Sequence, residues 1–79
     1  MEAYGFLEDG EQAIRLSAAS FALTPEAMRS FAAFVAHAAA EMEQLGANYD
    51  HVHWQDRDDW NPTWPDIQLT KVYLARSAE

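Results

Sequence analysis

The 79-residue sequence predicts a small α+β domain in which one amphipathic helix packs on one face of a small antiparallel sheet, in the order ββαββ. A helical pattern of apolar residues between Thr24 and Gly46 supports this class, and short apolar runs bounded by turn residues flank it on both sides. The length admits one domain, residues 1–79, and a chain this short buries only about 60% of its unfolded surface. We therefore expect the domain to gain stability from a partner or a second copy.

The first two strands are expected to form a hairpin. Asp9 and Gly10 form a turn signal between two apolar runs. The apolar residues of the second run change parity between Leu16 and Phe21, so one straight strand cannot bury them all on one face. This change predicts a bulge or bend near residues 17–20.

A helix is expected from Pro25 to Gly46. Thr24 can cap its start, proline suits the first helical position, and Glu26 complements the positive end of the helix dipole. Gly46 is expected to end the helix as a left-handed cap. Apolar residues at spacings of three and four predict a buried stripe, which Phe34 widens on one side and which consists of Met28, Phe31, Val35, Ala38, Met42 and Leu45.

Residues 49–56 alternate in the manner of a third strand. The alternation places His51 and His53 on one face, opposite Val52 and Trp54. One face is therefore expected to belong to the core, and the histidine face to form a site or an interface.

The acidic, proline-containing residues 57–65 are expected to form a loop that leads into a last strand from Asp66 to about Ala75. Trp60 and Trp64 in this loop either fold back over the core or protrude as interface anchors within a charged rim. That rim would consist of Asp56, Asp58 and Asp59.

Composition excludes several classes of function. Thirteen acidic against five basic residues give a net charge of −8, which repels nucleic acids and anionic lipids and attracts a basic protein surface. The absence of cysteine excludes disulfides and thiolate chemistry and agrees with a cytoplasmic protein. The start of the chain does not resemble a secretion signal, and no stretch is apolar enough to span a membrane. Without a glycine-rich phosphate loop or a recognisable nucleophile, we expect no enzyme and no cofactor.

A metal site is an alternative interpretation of the histidines. His51 and His53 offer two imidazole ligands on one strand face. His37, with Glu41 one turn further on, could add to them. At 100° per residue, however, His37 lies about 135° from the centre of the predicted apolar stripe. A complete ligand set would therefore have to form between two subunits.

Three short segments resemble the immunity protein 32 family of small bacterial proteins. They are Thr24-Pro25-Glu26 opening the helix, Asp50-His51-Val52-His53 on a strand, and Pro65-Asp66-Ile67 at the start of the last strand. The resemblance covers roughly residues 12–74. Members of that family are inferred to lie beside polymorphic toxin genes and to neutralise the toxin by binding it, so the resemblance implies a non-enzymatic inhibitor.

Together these observations predict a small acidic homodimeric binding protein that covers a basic site on a toxin or another cytoplasmic effector. The expected contact residues are Asp50, His51, His53, Asp56, Asp58, Asp59, Trp60 and Trp64. The alternatives are a metal-binding protein that uses His51 and His53 at a dimer interface, a phage-type inhibitor of host defence, and a homodimer of unknown role.

Overall fold

The computed structural model describes residues 1–8, 10 and 12–72 and confirms the α+β class. In chain order the elements are β1 (Tyr4–Gly5), β2 (Ile14–Arg15), helix α1 (Pro25–Leu45), a 3-10 turn (Gly46–Asn48), β3 (His51–His53), a second 3-10 turn (Trp54–Asp56) and β4 (Gln68–Thr70). The described strands form two separate antiparallel ribbons instead of one sheet: β1 with β2, the N-terminal ribbon, and β3 with β4, the C-terminal ribbon. Residues 73–75 of the predicted last strand lie outside the described residues.

The N-terminal ribbon contains the expected hairpin in a shorter form. Tyr4 pairs with Arg15, Gly5 pairs with Ile14, and the backbone N–H of Gly10 donates to the Leu7 carbonyl at 3.0 Å. The paired strand ends at Arg15 and the chain bends at Ser17, within residues 17–20 where a bulge or bend is predicted. Because Ile14 remains exposed on β2, burial of apolar side chains does not stabilise a longer strand pairing.

Helix α1 begins and ends as its capping residues predict. The Thr24 side-chain oxygen accepts a hydrogen bond from the backbone N–H of Ala27 at 3.1 Å, and Pro25 occupies the first turn. Gly46 ends the helix with φ 55° and ψ −123°. Its φ has the expected positive sign, whereas its ψ differs from that of a left-handed α conformation.

The buried face of α1 differs from the predicted stripe. The buried residues of the helix are Ala27, Ser30, Phe34 and Ala38. Met28 and Val35 of the predicted stripe are 54% and 41% exposed. The centre of the buried face is therefore rotated by about 65° from the centre of the predicted stripe, at 100° per residue. The core lies on the side of the stripe that Phe34 widens, and it includes the polar Ser30, which a pattern of apolar residues does not identify.

Trp54 is the centre of the core and is fully buried. Its indole Nε1–H donates to the Ser30 hydroxyl at 3.0 Å. Its ring lies 5.1 Å from that of Phe31 and stacks within 12° of Phe34 at 6.5 Å between ring centres. On another side the ring of Trp64 lies 5.1 Å away. One side chain thus joins the segment after β3 and the following loop to α1.

The C-terminal ribbon is shorter than predicted because the backbone leaves the strand at Trp54 and forms a 3-10 turn. Its register pairs His51 with Thr70, Val52 with Leu69, and His53 with Gln68. Tyr49, immediately before the ribbon, is buried, and its hydroxyl donates to the Leu69 carbonyl at 2.8 Å. Among the described residues, no helix is both long enough and apolar enough to cross a membrane.

Candidate functional site

The two histidines of β3 lie together on one face of the C-terminal ribbon, as the strand alternation predicts. Their ring centres are 4.9 Å apart, and the ring planes meet at 75°. Across the ribbon they pair with Thr70 and Gln68, which are exposed. Val52, between the histidines, is only partly exposed. We call the surface formed by His51, His53, Gln68 and Thr70 the histidine face.

Each histidine of this face contacts a carboxylate through Nδ1. His51 Nδ1 lies 2.5 Å from Asp50 Oδ2, and His53 Nδ1 lies 2.6 Å from Asp66 Oδ2. An ionised carboxylate can only accept a hydrogen bond, so in a neutral imidazole Nδ1 carries the hydrogen and Nε2 keeps its lone pair. Both rings are thus held in the tautomer that leaves Nε2 available as a ligand.

Asp66 is the residue of this site that sequence reasoning missed. The sequence pattern identifies Asp66 only as the start of the last strand. Besides the Oδ2 contact with His53, its Oδ1 accepts a hydrogen bond from the backbone N–H of Gln55 at 3.0 Å. The side chains of His53 and Asp66 are 28% and 23% exposed, whereas Asp50 is 69% exposed. The His53 pair is therefore the better shielded of the two. Thirteen positions separate its members, and only the return of the chain through the loop brings them together.

The other metal-ligand candidates do not join the histidine face. His37 is exposed on α1, and Glu41 is partly exposed one turn further on. Within residues 1–8, 10 and 12–72, no group of three or more histidine, cysteine, aspartate or glutamate side chains is arranged to hold a metal ion. The part of the chain that the structure describes therefore orients two imidazoles and places no third candidate ligand with them in a group that could hold a metal ion.

The acidic residues after β3 surround a single arginine. Arg57 Nε–H donates to Asp59 Oδ1 at 3.0 Å, and residues 56–59 line a surface depression. The hydrogen bond from Arg57, followed by one from Ser30, lowers the pKa of the Asp59 carboxyl from its ordinary value. Asp56 and Asp58 are exposed beside this pair. Arg57 therefore holds the Asp59 carboxylate in place beside exposed acidic residues.

The two loop tryptophans have different environments. Trp64 folds back against Trp54 in the core. Trp60 is partly exposed, and its indole N–H donates to the Pro65 carbonyl at 3.2 Å. Between them the Asn61 side-chain oxygen accepts the backbone N–H of Thr63 at 2.8 Å. Trp64 therefore folds back over the core, which is one of the two interpretations that the sequence left open. Trp60 lies at the surface of a loop that hydrogen bonds hold together.

Large apolar side chains remain exposed on the helix and in the segments that precede it, which the sequence pattern did not predict. Phe21 is 51% exposed although its ring contacts Phe31 at 5.9 Å. The exposed large apolar residues of the described chain are Met1, Tyr4, Phe6, Leu7, Ile14, Phe21, Met28, Val35, Leu45 and Val72. Single exposed apolar residues are ordinary on protein surfaces, whereas large contiguous apolar patches are typical of interaction sites.

No protein-family model, curated protein or solved structure matches the chain.

Proposed function

We propose that this protein is a small, acidic, non-enzymatic binding protein of the immunity type, which covers a basic site on a protein partner in the cytoplasm. The observation that carries this proposal is the segment of residues 50–66, which we call the acidic segment. It holds five aspartates against one arginine, so it contributes −4 (five minus one) to the chain's net charge of −8. A concentrated charge of this sign attracts and orients a basic surface.

The acidic segment is ordered before any partner binds. Trp54 fixes its first part in the core, and the carboxylate of Asp66 holds both the His53 ring and the Gln55 backbone. Arg57 and Asp59 tie the next turn together through their side chains. A surface that is already rigid loses little conformational entropy on association, so more of its interaction energy contributes to affinity.

Aromatic residues border the carboxylates. Trp60 is partly exposed and directly follows Asp58 and Asp59 in the loop, and Trp64 of the same loop contacts Trp54 in the core. Further from the carboxylates, Phe21 is half exposed, and its ring contacts Phe31, which in turn contacts Trp54. Exposed aromatic rings next to a charged rim are the composition typical of protein interfaces. This neighbourhood supports a protein partner over a small ligand.

Matched charge reversals test the proposal. Asp58→Lys and Glu43→Lys each change the net charge by two units at an exposed site, the first in the acidic segment and the second on α1. Wild-type protein and both variants would be immobilised and used to capture partners from the source cell, with circular dichroism confirming that each is folded. We expect one basic protein to bind the wild type and Glu43→Lys and to be lost from Asp58→Lys.

The captured protein would then be purified and titrated with all three forms by isothermal calorimetry, and its activity assayed with and without them. We expect the wild type and Glu43→Lys to bind it and suppress its activity, and Asp58→Lys to bind at least tenfold more weakly. Equal binding by the two variants, or binding without inhibition, would contradict an inhibitor that acts through the acidic segment.

A further inference from the structure

We propose that His51 and His53 form half of a zinc site, which a second copy of this chain completes with the same two histidines. The inference is argued from the histidine face alone, although the two histidines of this face lie within the acidic segment that the protein partner is proposed to contact. In this proposal the remaining ligands are the same two histidines of a second copy, and not His37 and Glu41, which the sequence suggested.

The distance between the two rings suits one shared ion. Zinc–nitrogen bonds are about 2.0–2.1 Å, and the centre of an imidazole ring lies about 1.1 Å beyond Nε2, so two rings on a tetrahedral ion have centres about 5 Å apart. The observed separation is 4.9 Å. The carboxylates of Asp50 and Asp66 occupy both Nδ1 atoms, which leaves the Nε2 atoms as the ligating nitrogens.

The number of ligands requires a second copy. A closed zinc site has four protein ligands, and the described residues of one chain contain no group of three or more candidate ligand side chains. A two-fold axis through the ion would bring an identical pair from a second copy and complete a tetrahedral set. The histidine face can be approached, because the His51 and His53 side chains are 39% and 28% exposed and their ribbon neighbours Gln68 and Thr70 are also exposed.

Electrostatics make this contact dependent on the metal. Each copy has a net charge of −8, and Asp50 and Asp66 flank the histidines, so two apposed histidine faces bring four carboxylates together. Like charges at such distances repel each other, and a divalent cation between them offsets the repulsion. The proposal therefore predicts a dimer with zinc and a monomer without it.

The test is a zinc titration of the full chain by calorimetry, combined with native mass spectrometry before and after addition of a chelator. We expect one zinc per two chains and a dimer that dissociates on chelation. His51→Ala should abolish both zinc binding and the dimer. The fold should survive this change, because the His51 ring is partly exposed and its partner Asp50 is exposed. His53→Ala provides a second measurement, and His37→Ala is the matched control at an exposed histidine on α1.

Asp66→Asn tests the carboxylate that orients His53. Asparagine keeps an oxygen that can accept the Gln55 N–H but lacks the charge, and loss of such an outer partner typically weakens metal binding by about 10–100-fold. Zinc binding that survives in His51→Ala and His53→Ala would show adventitious binding to the acidic surface and overturn the proposal. A stoichiometry of one zinc per monomer, or a dimer that persists without metal, would also overturn it.

Discussion

Replacing Ser30 by alanine tests the contact that joins the C-terminal half of the chain to α1. The hydroxyl of Ser30 is the acceptor for the indole N–H of the fully buried Trp54, at 3.0 Å. Alanine would leave that N–H buried without a partner, at a cost of about 1–3 kcal/mol. The higher helix propensity of alanine offsets about 0.5 kcal/mol of this loss. We therefore expect a net decrease of about 0.5–2.5 kcal/mol in the free energy of unfolding.

The assay is thermal unfolding followed by circular dichroism at 222 nm, together with urea unfolding for the free energy. In a domain of 60–100 residues, each kcal/mol lowers Tm by about 4–8 °C, so the expected change is measurable. Ser20→Ala is the matched control, because Ser20 is exposed and lies outside the helix. If Ser30→Ala unfolds at the same temperature and urea concentration as Ser20→Ala, the hydrogen bond with Trp54 does not contribute to stability as reasoned here.

Three further changes test other parts of the fold. Thr24→Ala removes the cap on the Ala27 N–H and should lower the free energy of unfolding by about 1 kcal/mol in urea, whereas Thr24→Ser should retain most of the stability. Gly46→Ala puts a side chain at φ 55°, which should cost about 1–3 kcal/mol in the same measurement; an unchanged urea midpoint would contradict the strain. Burial, and then the charge of Glu41, raises the pKa of the Tyr49 hydroxyl above its ordinary value of 10.0. The folded state then keeps a proton that the unfolded state loses, so stability that is present below pH 10.0 is lost as the pH rises through the folded pKa. Tyr49→Phe should reduce that loss, and urea unfolding between about pH 9 and 11 would measure it.

Local patterns were sufficient to predict the helix and the histidine face. The bounds of α1 follow from Thr24, Pro25 and Gly46, whose effects on the backbone depend on neighbouring residues only. The common face of His51 and His53 follows from the alternation of a strand, which holds even for a strand of three residues. Both predictions needed no knowledge of which elements pack together.

Tertiary contacts account for what the sequence could not provide. Ser30 belongs to the core because the Trp54 indole needs an acceptor, and no pattern of apolar residues reveals that requirement. Asp66 belongs to the histidine face because the intervening loop returns it to His53. The sequence order also could not show that the strands form two ribbons, since hairpin signals specify only which neighbours pair.

The two halves of the molecule should respond differently to a partner. A two-stranded hairpin is marginally stable alone, and the N-terminal ribbon leaves Tyr4 and Ile14 exposed, so a partner that covers these residues would slow its amide hydrogen exchange. Trp54 and Asp66 already hold the acidic segment in place. Its amide hydrogen exchange should therefore change on partner binding only at the residues that the partner covers. If both halves contribute to one interface, Asp58→Lys would weaken the complex without altering the exchange of the free protein. Protection of the N-terminal ribbon would then appear only at the higher partner concentrations at which the variant binds.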